Sequence, residues 1–280
     1  CTFCNFSFSN LGIRDLEDVK QEIDAMSAYV NSRMLVPGQP RIVYYILQEW
    51  DGRKVFLQDG DALVYPYPKL LEVLQYLNQK FPNIQRIASY ATPQDILRRT
   101  IAELKALKDQ KLGILYVGVE SGDDEVLRRI QKNATHDQMV EAAAKVKEAG
   151  ILLSATVILG LGGVKGSERH VAETARILTE MDPDYAGALT LTLIPGTALY
   201  KEWERGEFEL ITPFDSLREL KGLVENSTFT NCFFSSMHAS NYFAIRGSMP
   251  KDKDKILKQL NALLSRKDPH MLRPEYMRGL

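Results

Sequence analysis

Apolar and polar positions along this chain alternate between the period of a helix and that of a buried strand. From residue 15 to residue 33 the apolar side chains recur every three or four positions, which predicts a helix. Short, mostly apolar runs begin at Val55, Arg86, Ile114, Ile151 and Tyr185. The amphipathic stretches between them predict helices over residues 69–80, 93–108, 123–130, 137–149 and 167–181. Strands separated by helices indicate βαβ units and a parallel sheet.

Two stretches depart from this alternation. Residues 41–50 fit either a short helix or a strand, because apolar helical spacing and β-branched residues occur together there. After Thr197 the pattern changes to predicted helices over residues 199–205, 213–224 and 251–264, with an irregular aromatic stretch over 231–246. We therefore expect a core over residues 1–200 and a C-terminal extension over residues 201–280 that packs on it.

Polar and glycine-rich residues follow each predicted strand. They are Asp59-Gly60-Asp61, Ser89 to Thr92, Glu120-Ser121-Gly122, Gly160 to Gly163 and Pro195-Gly196-Thr197. Parallel α/β folds build their sites at the carboxyl ends of the strands. The sequence therefore predicts a functional site on one edge of the sheet.

Composition narrows the class of protein. The chain is 45% hydrophobic over 280 residues, which is enough for a sizeable core. Its 35 Lys and Arg against 36 Asp and Glu favour neither nucleic acid nor an anionic membrane as a partner. No apolar run approaches the roughly 20 residues of a membrane span. Three cysteines do not make a disulfide framework, so we expect a cytoplasmic protein.

Cys1 and Cys4 are the strongest candidates for metal ligands. Two thiolates three positions apart can bind one metal centre from a tight loop. Zinc would need two further ligands, and Cys232 is distant, so iron–sulfur, zinc and redox roles all stay open on spacing alone. The chain opens on a cysteine instead of Met, and we expect residues upstream of it.

Cys1-Thr2-Phe3-Cys4 resembles the last two cysteines of the Cys-x3-Cys-x2-Cys motif of the radical S-adenosylmethionine (SAM) superfamily. The resemblance implies a [4Fe–4S] cluster held by Cys1, Cys4 and a third cysteine four residues upstream. Phe3 matches the aromatic residue that often precedes the last cysteine, and we expect it beside the cofactors. The implied fold is α/β, a partial (β/α)6 TIM-like barrel of parallel strands whose first strand precedes Cys1, with a helical or irregular C-terminal extension.

The loop after the second strand of that fold also matches. Asp59, Gly60 and Asp61 resemble the Gly-Gly-Glu-Pro stretch that holds the methionyl ammonium group of SAM. Asp61 stands where the family has a longer Glu. The alternative interpretation is a surface turn.

Residues 118–123 resemble the fourth strand of a subgroup of iron–sulfur oxidoreductase-like members with Gly-x-Glu-Ser-Gly. Glu120 and Ser121 are thereby expected to contact the ribose and carboxylate of SAM, although Glu120 could instead be an acid at a helix N-terminus. Ile158 and Gly160 match the fifth strand, which lines the adenine. Ile194 matches the sixth strand, where the alternative is a structural Pro-Gly turn.

The resemblance implies that SAM is cleaved reductively to a 5′-deoxyadenosyl radical, which abstracts hydrogen from a substrate that the sequence does not identify. It also implies a flavodoxin or ferredoxin as electron donor. One alternative is a non-catalytic metal- or SAM-binding scaffold of the same fold. A second is a TIM-type hydrolase, for which no strand end pairs an acid with a base.

His238, Asn241 and Arg246 are the candidate residues on the substrate side. They lie in a polar stretch of the extension that we expect to cover the open side of the barrel. The guanidinium of Arg246 would suit an anionic group. The alternative is that His238 is a core histidine and that Asn241 belongs to a structural turn.

Overall fold

The structure is a computed structural model that describes residues 1–4, 12–38 and 40–279, without the side chain of Asp59. The strands are β1 (Lys54–Asp61), β2 (Arg86–Ala91), β3 (Leu112–Glu120), β4 (Leu152–Leu159), β5 (Tyr185–Thr190), β6 (Cys232–Ser235) and β7 (Arg246–Met249). The helices are α1 (Leu16–Ser32), α2 (Arg41–Gln48), α3 (Tyr67–Lys80), α4 (Pro93–Arg98), α5 (Ile101–Asp109), α6 (Asp124–Arg129), α7 (His136–Glu148), α8 (Gly163–Met181), α9 (Ala198–Glu204), α10 (Pro213–Asn226) and α11 (Lys253–Arg266).

The strands form a sheet in the order β1-β2-β3-β4-β5-β6-β7. The pairs β1–β2, β4–β5 and β5–β6 are parallel, and β6–β7 is antiparallel. This confirms the predicted α/β fold with a mostly parallel sheet. Within the described residues the strand order follows the chain order from β1 to β7.

The chain divides into two compact units. The smaller unit comprises Asn10–Tyr116 and Lys145–Leu152, and the larger unit comprises Cys1–Ser9, Val117–Ala144 and Leu153–Leu280. In the smaller unit the register of β1 against β2 shifts between Leu57 and Asp61, which marks a bulge at the carboxyl end of β1.

One face of the larger unit's sheet is buried. In β4, β5 and β6 the residues of alternate positions are buried, and Val157, Ala188 and Phe234 among them are at most 1% exposed. The other face is mixed. Thr156 is half-buried and Phe233 is exposed, whereas Ser154 and Ile158 of β4 are buried.

The structure resolves or changes four expectations about the elements. Residues 41–48 are a helix. The single helix predicted over 93–108 is instead α4 and α5, because Arg99 is extended and Thr100 starts a new capping box with Glu103. The strand predicted over 185–194 ends at Thr190. The stretch over 231–246, predicted to be irregular, contains β6, which pairs with β5 and so extends the sheet into the extension.

No helix among the described residues combines the length and the apolar composition that crossing a membrane requires.

Candidate functional site

The turn that carries Cys1 and Cys4 is anchored at its second residue. The backbone N–H of Thr2 donates to the carbonyl of Ile130 at 2.8 Å, and the carbonyl of Thr2 accepts from the N–H of Leu199 at 3.0 Å. Cys4 N–H lies 3.4 Å from the carbonyl of Cys1 and closes the turn. The end of α6 and the start of α9 therefore fix the position of both cysteines.

This turn fits a metal cluster chemically. Cys1 is exposed, Cys4 and Phe3 are half-buried, and neither cysteine is in a disulfide. The hydroxyl of Thr2 is buried and has no hydrogen-bond partner in the described part of the chain, as expected for a donor whose acceptor is a bound group. Thiolates are the usual ligands of iron–sulfur clusters. The described residues contain no group of three or more His, Cys, Asp or Glu that could hold a metal, so the turn supplies two ligands.

Glu120 ends β3 in a strained backbone conformation. Its φ is +65°, and Ser121 N–H donates to the carbonyl of Val119 at 2.8 Å, which makes Glu120 the centre of a tight γ-turn. Its carboxylate accepts from Lys132 Nζ at 2.8 Å, and both side chains are 13% exposed. A Cβ on Gly118 would lie 2.2 Å from Glu120 Oε1. Glycine at position 118 is therefore what lets the carboxylate fold back over the strand, and functional sites often hold such strain.

Ser121 is 0% exposed, and its hydroxyl is used inside the protein. It lies 2.8 Å from His170 Nδ1 and accepts from the N–H of Asp123 at 3.0 Å. His170 Nε2 is 3.1 Å from the carbonyl of Ile158, which can only accept. Nε2 therefore carries the proton, and Nδ1 accepts from Ser121. The hydroxyl holds the loop after β3 against α8, and its contact with SAM stays a prediction.

A buried carboxyl holds the loop after β4. The N–H of Gly160 donates to Glu219 Oε2 at 2.6 Å, and Ser167 Oγ donates to Oε1 at 2.6 Å. Burial raises the pKa of the Glu219 carboxyl to about 7, although both hydrogen bonds lower it. His170 Nε2 is 3.9 Å from Glu219 Oε2, and burial lowers the pKa of the His170 imidazole to about 4. The group of Ser121, His170, Gly160 and Glu219 is called the buried network below.

Sequence reasoning missed His170 and Glu219, although a signal existed. Both lie on the buried faces of amphipathic helices, with His170 in α8 and Glu219 between Leu217 and Leu220 in α10. A titratable residue on an apolar helix face is unusual unless it is hydrogen-bonded. Only the folded structure shows that the partners lie at two strand ends.

Two isoleucines predicted to bind the cofactor, Ile158 on the fifth strand and Ile194 on the sixth, are less distinctive. Ile158 is 8% exposed, and Ile194 is half-buried. The carbonyl of Ile194 accepts from the N–H and the hydroxyl of Thr197 at 3.2 and 2.8 Å. These bonds close the Pro-Gly turn, as the structural alternative expected. The contact of Ile158 with adenine and the cofactor contact of Ile194 stay predictions.

In the smaller unit the loop after β1 is held by Asp61. Its carboxylate accepts from the N–H groups of Leu63 and Thr92 at 2.7 and 2.6 Å. Burial raises the pKa of Asp61 to about 7 against the effect of these bonds. Gly60 is exposed with a φ of +148°, which only glycine adopts readily. The side chain of Asp59 lies outside the described part of the structure.

Asn241 lies in the interior and not on an open surface. It is 3% exposed, and its Nδ2 donates to the carbonyls of Ala188 and Ser236 at 2.8 and 2.9 Å. Its Oδ1 accepts from the hydroxyl of Thr190 at 2.8 Å. These bonds give Asn241 a structural role between β5 and the loop after β6, and they do not support the predicted contact with substrate.

His238 and Arg246 are exposed. His238 Nδ1 lies 2.9 Å from Ser240 Oγ at the surface, so it is not a core histidine. Arg246 begins β7 directly opposite Ser235 of β6. Of the three candidates on the substrate side, these two are accessible to a ligand.

The family of this chain is shown by a comparison with known protein families. The sequence profile of the Radical SAM superfamily matches residues 1–176. Heme chaperone HemW of Bacillus subtilis is 20% identical over 260 residues, which are 87% of this chain and 64% of that protein. The tRNA-2-methylthio-N(6)-dimethylallyladenosine synthase of Thermus thermophilus is 27% identical over 142 residues, which are 49% of this chain and 29% of that protein. The chain thus spans less than two thirds of the length of these relatives.

Solved structures share the fold. Coproporphyrinogen III oxidase (HemN) from Escherichia coli superposes with a TM-score of 0.54 at 16% identity, over 80% of this chain and 48% of that one. Methylornithine synthase (PylB) superposes with a TM-score of 0.52 at 18% identity, over 82% of this chain and 59% of that one. At these identities the likeness concerns the fold alone.

Proposed function

This chain belongs to the radical SAM superfamily, and we propose that it takes part in reductive cleavage of SAM at a [4Fe–4S] cluster held in part by Cys1 and Cys4. The observation that carries the proposal is the anchored two-cysteine turn inside the matched residues 1–176. The matched relatives are named for different functions, so they support no particular product.

When bound, the reduced cluster supplies the electron that splits SAM into methionine and a 5′-deoxyadenosyl radical, which takes hydrogen from the substrate. The chain's own residues would bind and orient the cluster and SAM. Thr2 fixes the turn of the two thiolates through its backbone. The Glu120 carboxylate, held by Lys132, is available to accept hydrogen bonds from the ribose hydroxyls. The buried network holds the loops after β3 and β4 in place. We propose a flavodoxin or ferredoxin as the electron donor.

The test uses the full-length protein, reconstituted anaerobically with iron and sulfide. We expect an EPR signal of a reduced [4Fe–4S] cluster and slow release of 5′-deoxyadenosine from SAM. Cys4→Ala should abolish both signals. Cys232→Ala is the matched control and should keep both, because that thiol is 1% exposed and packs in the core.

The result also separates the enzyme from the non-catalytic alternative. A colourless protein that contains zinc and releases no 5′-deoxyadenosine would contradict the proposal. Cluster and SAM binding without cleavage by any reductant would favour the scaffold. Glu120→Gln tests the SAM contact separately: we expect weaker SAM binding by calorimetry with an unchanged cluster spectrum.

A further inference from the structure

Four residues form one row across the open face of the sheet in the larger unit. Strand register pairs Thr156 with Gly187, Gly187 with Ser235, and Ser235 with Arg246. Paired residues on one face have Cβ atoms roughly 5 Å apart, so the row spans about 15 Å. All four are half-buried or exposed, whereas the opposite face of the same strands is buried. The row is therefore accessible to a ligand.

Gly187 in this row has no structural reason to be glycine. A Cβ there would meet no atom nearer than 3.9 Å, and its backbone is not in the left-handed region. Glycine inside a strand loses stability and often marks a place where a ligand approaches the backbone closely. Its missing side chain leaves a gap between the hydroxyls of Thr156 and Ser235.

Arg246 lies at the end of the row and carries a positive charge. It is exposed, and within the described residues its guanidinium makes neither an ion pair nor a hydrogen bond. By contrast, Arg169 of α8 forms an ion pair with Asp123 at 2.7 Å. Five fixed N–H donors without an acceptor suit a planar carboxylate.

The next row along the strands is aromatic. Tyr185 pairs with Phe233, and these two side chains are 37% and 41% exposed on the same face. Two residues along a strand cover about 7 Å, so Phe233 lies diagonally next to Arg246. Adjacent exposed rings of this kind offer a surface on which a planar apolar group can stack.

We propose that these two rows are the substrate-binding surface and that the substrate class is an aromatic carboxylate. The ring of the ligand lies over Tyr185 and Phe233, its carboxylate binds Arg246 and the Ser235 hydroxyl, and Gly187 leaves room for its body. The inference that this ligand is the substrate rests on the proposed function. Binding of a ligand to the surface does not require SAM cleavage.

The test measures binding of three probes to the reconstituted full-length protein by calorimetry. They are naphthalene-2-carboxylate, its neutral carboxamide and cyclohexanecarboxylate. We expect the carboxylate with the aromatic ring to bind at least about tenfold more tightly than either of the others, because each lacks one of the two contacts. Equal binding of all three, or binding of none, would overturn the proposal.

Variants locate the binding. Arg246→Gln should weaken the aromatic carboxylate about tenfold and remove its advantage over the carboxamide, whereas the exposed cation change Lys251→Gln should leave both unchanged. Gly187→Val should block all binding without lowering the melting temperature, since a β-branched residue suits a strand with free space. Unchanged binding in Arg246→Gln and Gly187→Val would refute the site.

Release of 5′-deoxyadenosine without substrate, measured in parallel, separates this inference from the proposed function. The control variant Lys251→Gln, which lies outside the proposed surface, should retain it. Probe binding without any SAM cleavage in the wild-type protein would count against the proposed function and leave the binding surface standing.

Discussion

Gly122 lies where the loop after β3 packs most closely against the backbone of α8. It follows Ser121 in the loop after β3, and its N–H donates to Thr174 Oγ1 at 3.0 Å. A Cβ at this position would lie 2.0 Å from the carbonyl oxygen of Glu173 and 2.5 Å from its carbonyl carbon. Both atoms belong to the backbone of α8, so no side-chain rotation can relieve the clash. Gly122→Ala must displace either the loop or the helix.

The expected cost follows from two contributions. Overpacking a close contact costs about 1–3 kcal/mol, and the displaced N–H loses a hydrogen bond worth about 1 kcal/mol. We therefore expect a loss of about 3 kcal/mol in the free energy of unfolding. For a chain of this size that corresponds to a fall of roughly 6–12 °C in melting temperature.

The assay is thermal unfolding followed by far-UV circular dichroism. Gly166→Ala is the matched control, because it lies in the same helix and its Cβ would meet nothing within 4 Å. Alanine is favoured over glycine in a helix by about 0.5–1 kcal/mol, so this variant should melt at or slightly above the wild-type temperature. If Gly122→Ala melts together with the wild type, the loop does not pack on α8 as described.

Three further predictions follow from the same site. Gly118→Ala should weaken SAM binding by calorimetry with little loss of stability, because the atoms nearest to the added methyl group are the ends of the flexible Glu120 and Lys132 side chains. Unchanged SAM affinity would contradict the role of the Glu120 carboxylate. Glu219→Gln should change the pH dependence of urea unfolding. Since the pKa of Glu219 is raised from 4.5 to about 7, the folded protein keeps a proton that the unfolded chain releases, and wild-type stability should fall by about 2 kcal/mol from pH 5 to pH 7 on this account. Glu219→Gln should lack that fall in stability. It should keep the contribution of His170, whose pKa of about 4 in the folded protein makes stability rise between pH 4 and 6.5. Parallel pH profiles of the wild type and Glu219→Gln would refute the raised pKa of Glu219. Asn241→Ala should lower the free energy of unfolding by about 2–4 kcal/mol, because it leaves buried carbonyls without donors, whereas a residue that only contacts substrate would leave the unfolding curve unchanged.

Much of the fold could be predicted because its signal is local. The spacing of apolar residues within one helix or strand showed the alternation from β1 to β5, and the polar loops at strand ends indicated the edge where a site is built. The cysteine motif was equally readable, because its two ligands are three positions apart on one turn. A resemblance in residue order then indicated the family, which the matched profile shows.

The tertiary structure decided what depends on distant partners. β6 has only four residues, and its strand conformation comes from pairing with β5, about 45 residues away along the chain. The same holds for Ser121 and His170, which meet across 49 positions, and for Gly160 and Glu219, which meet across 59. A hydrogen bond of this kind leaves no periodic trace in the sequence, because neither partner's neighbours show where the other will lie. The sequence alone thus determined most of the elements up to β5 and the cysteine motif, because their signals are local. Only packing determined the pairing of β6 and which buried side chains hold the loops at the strand ends.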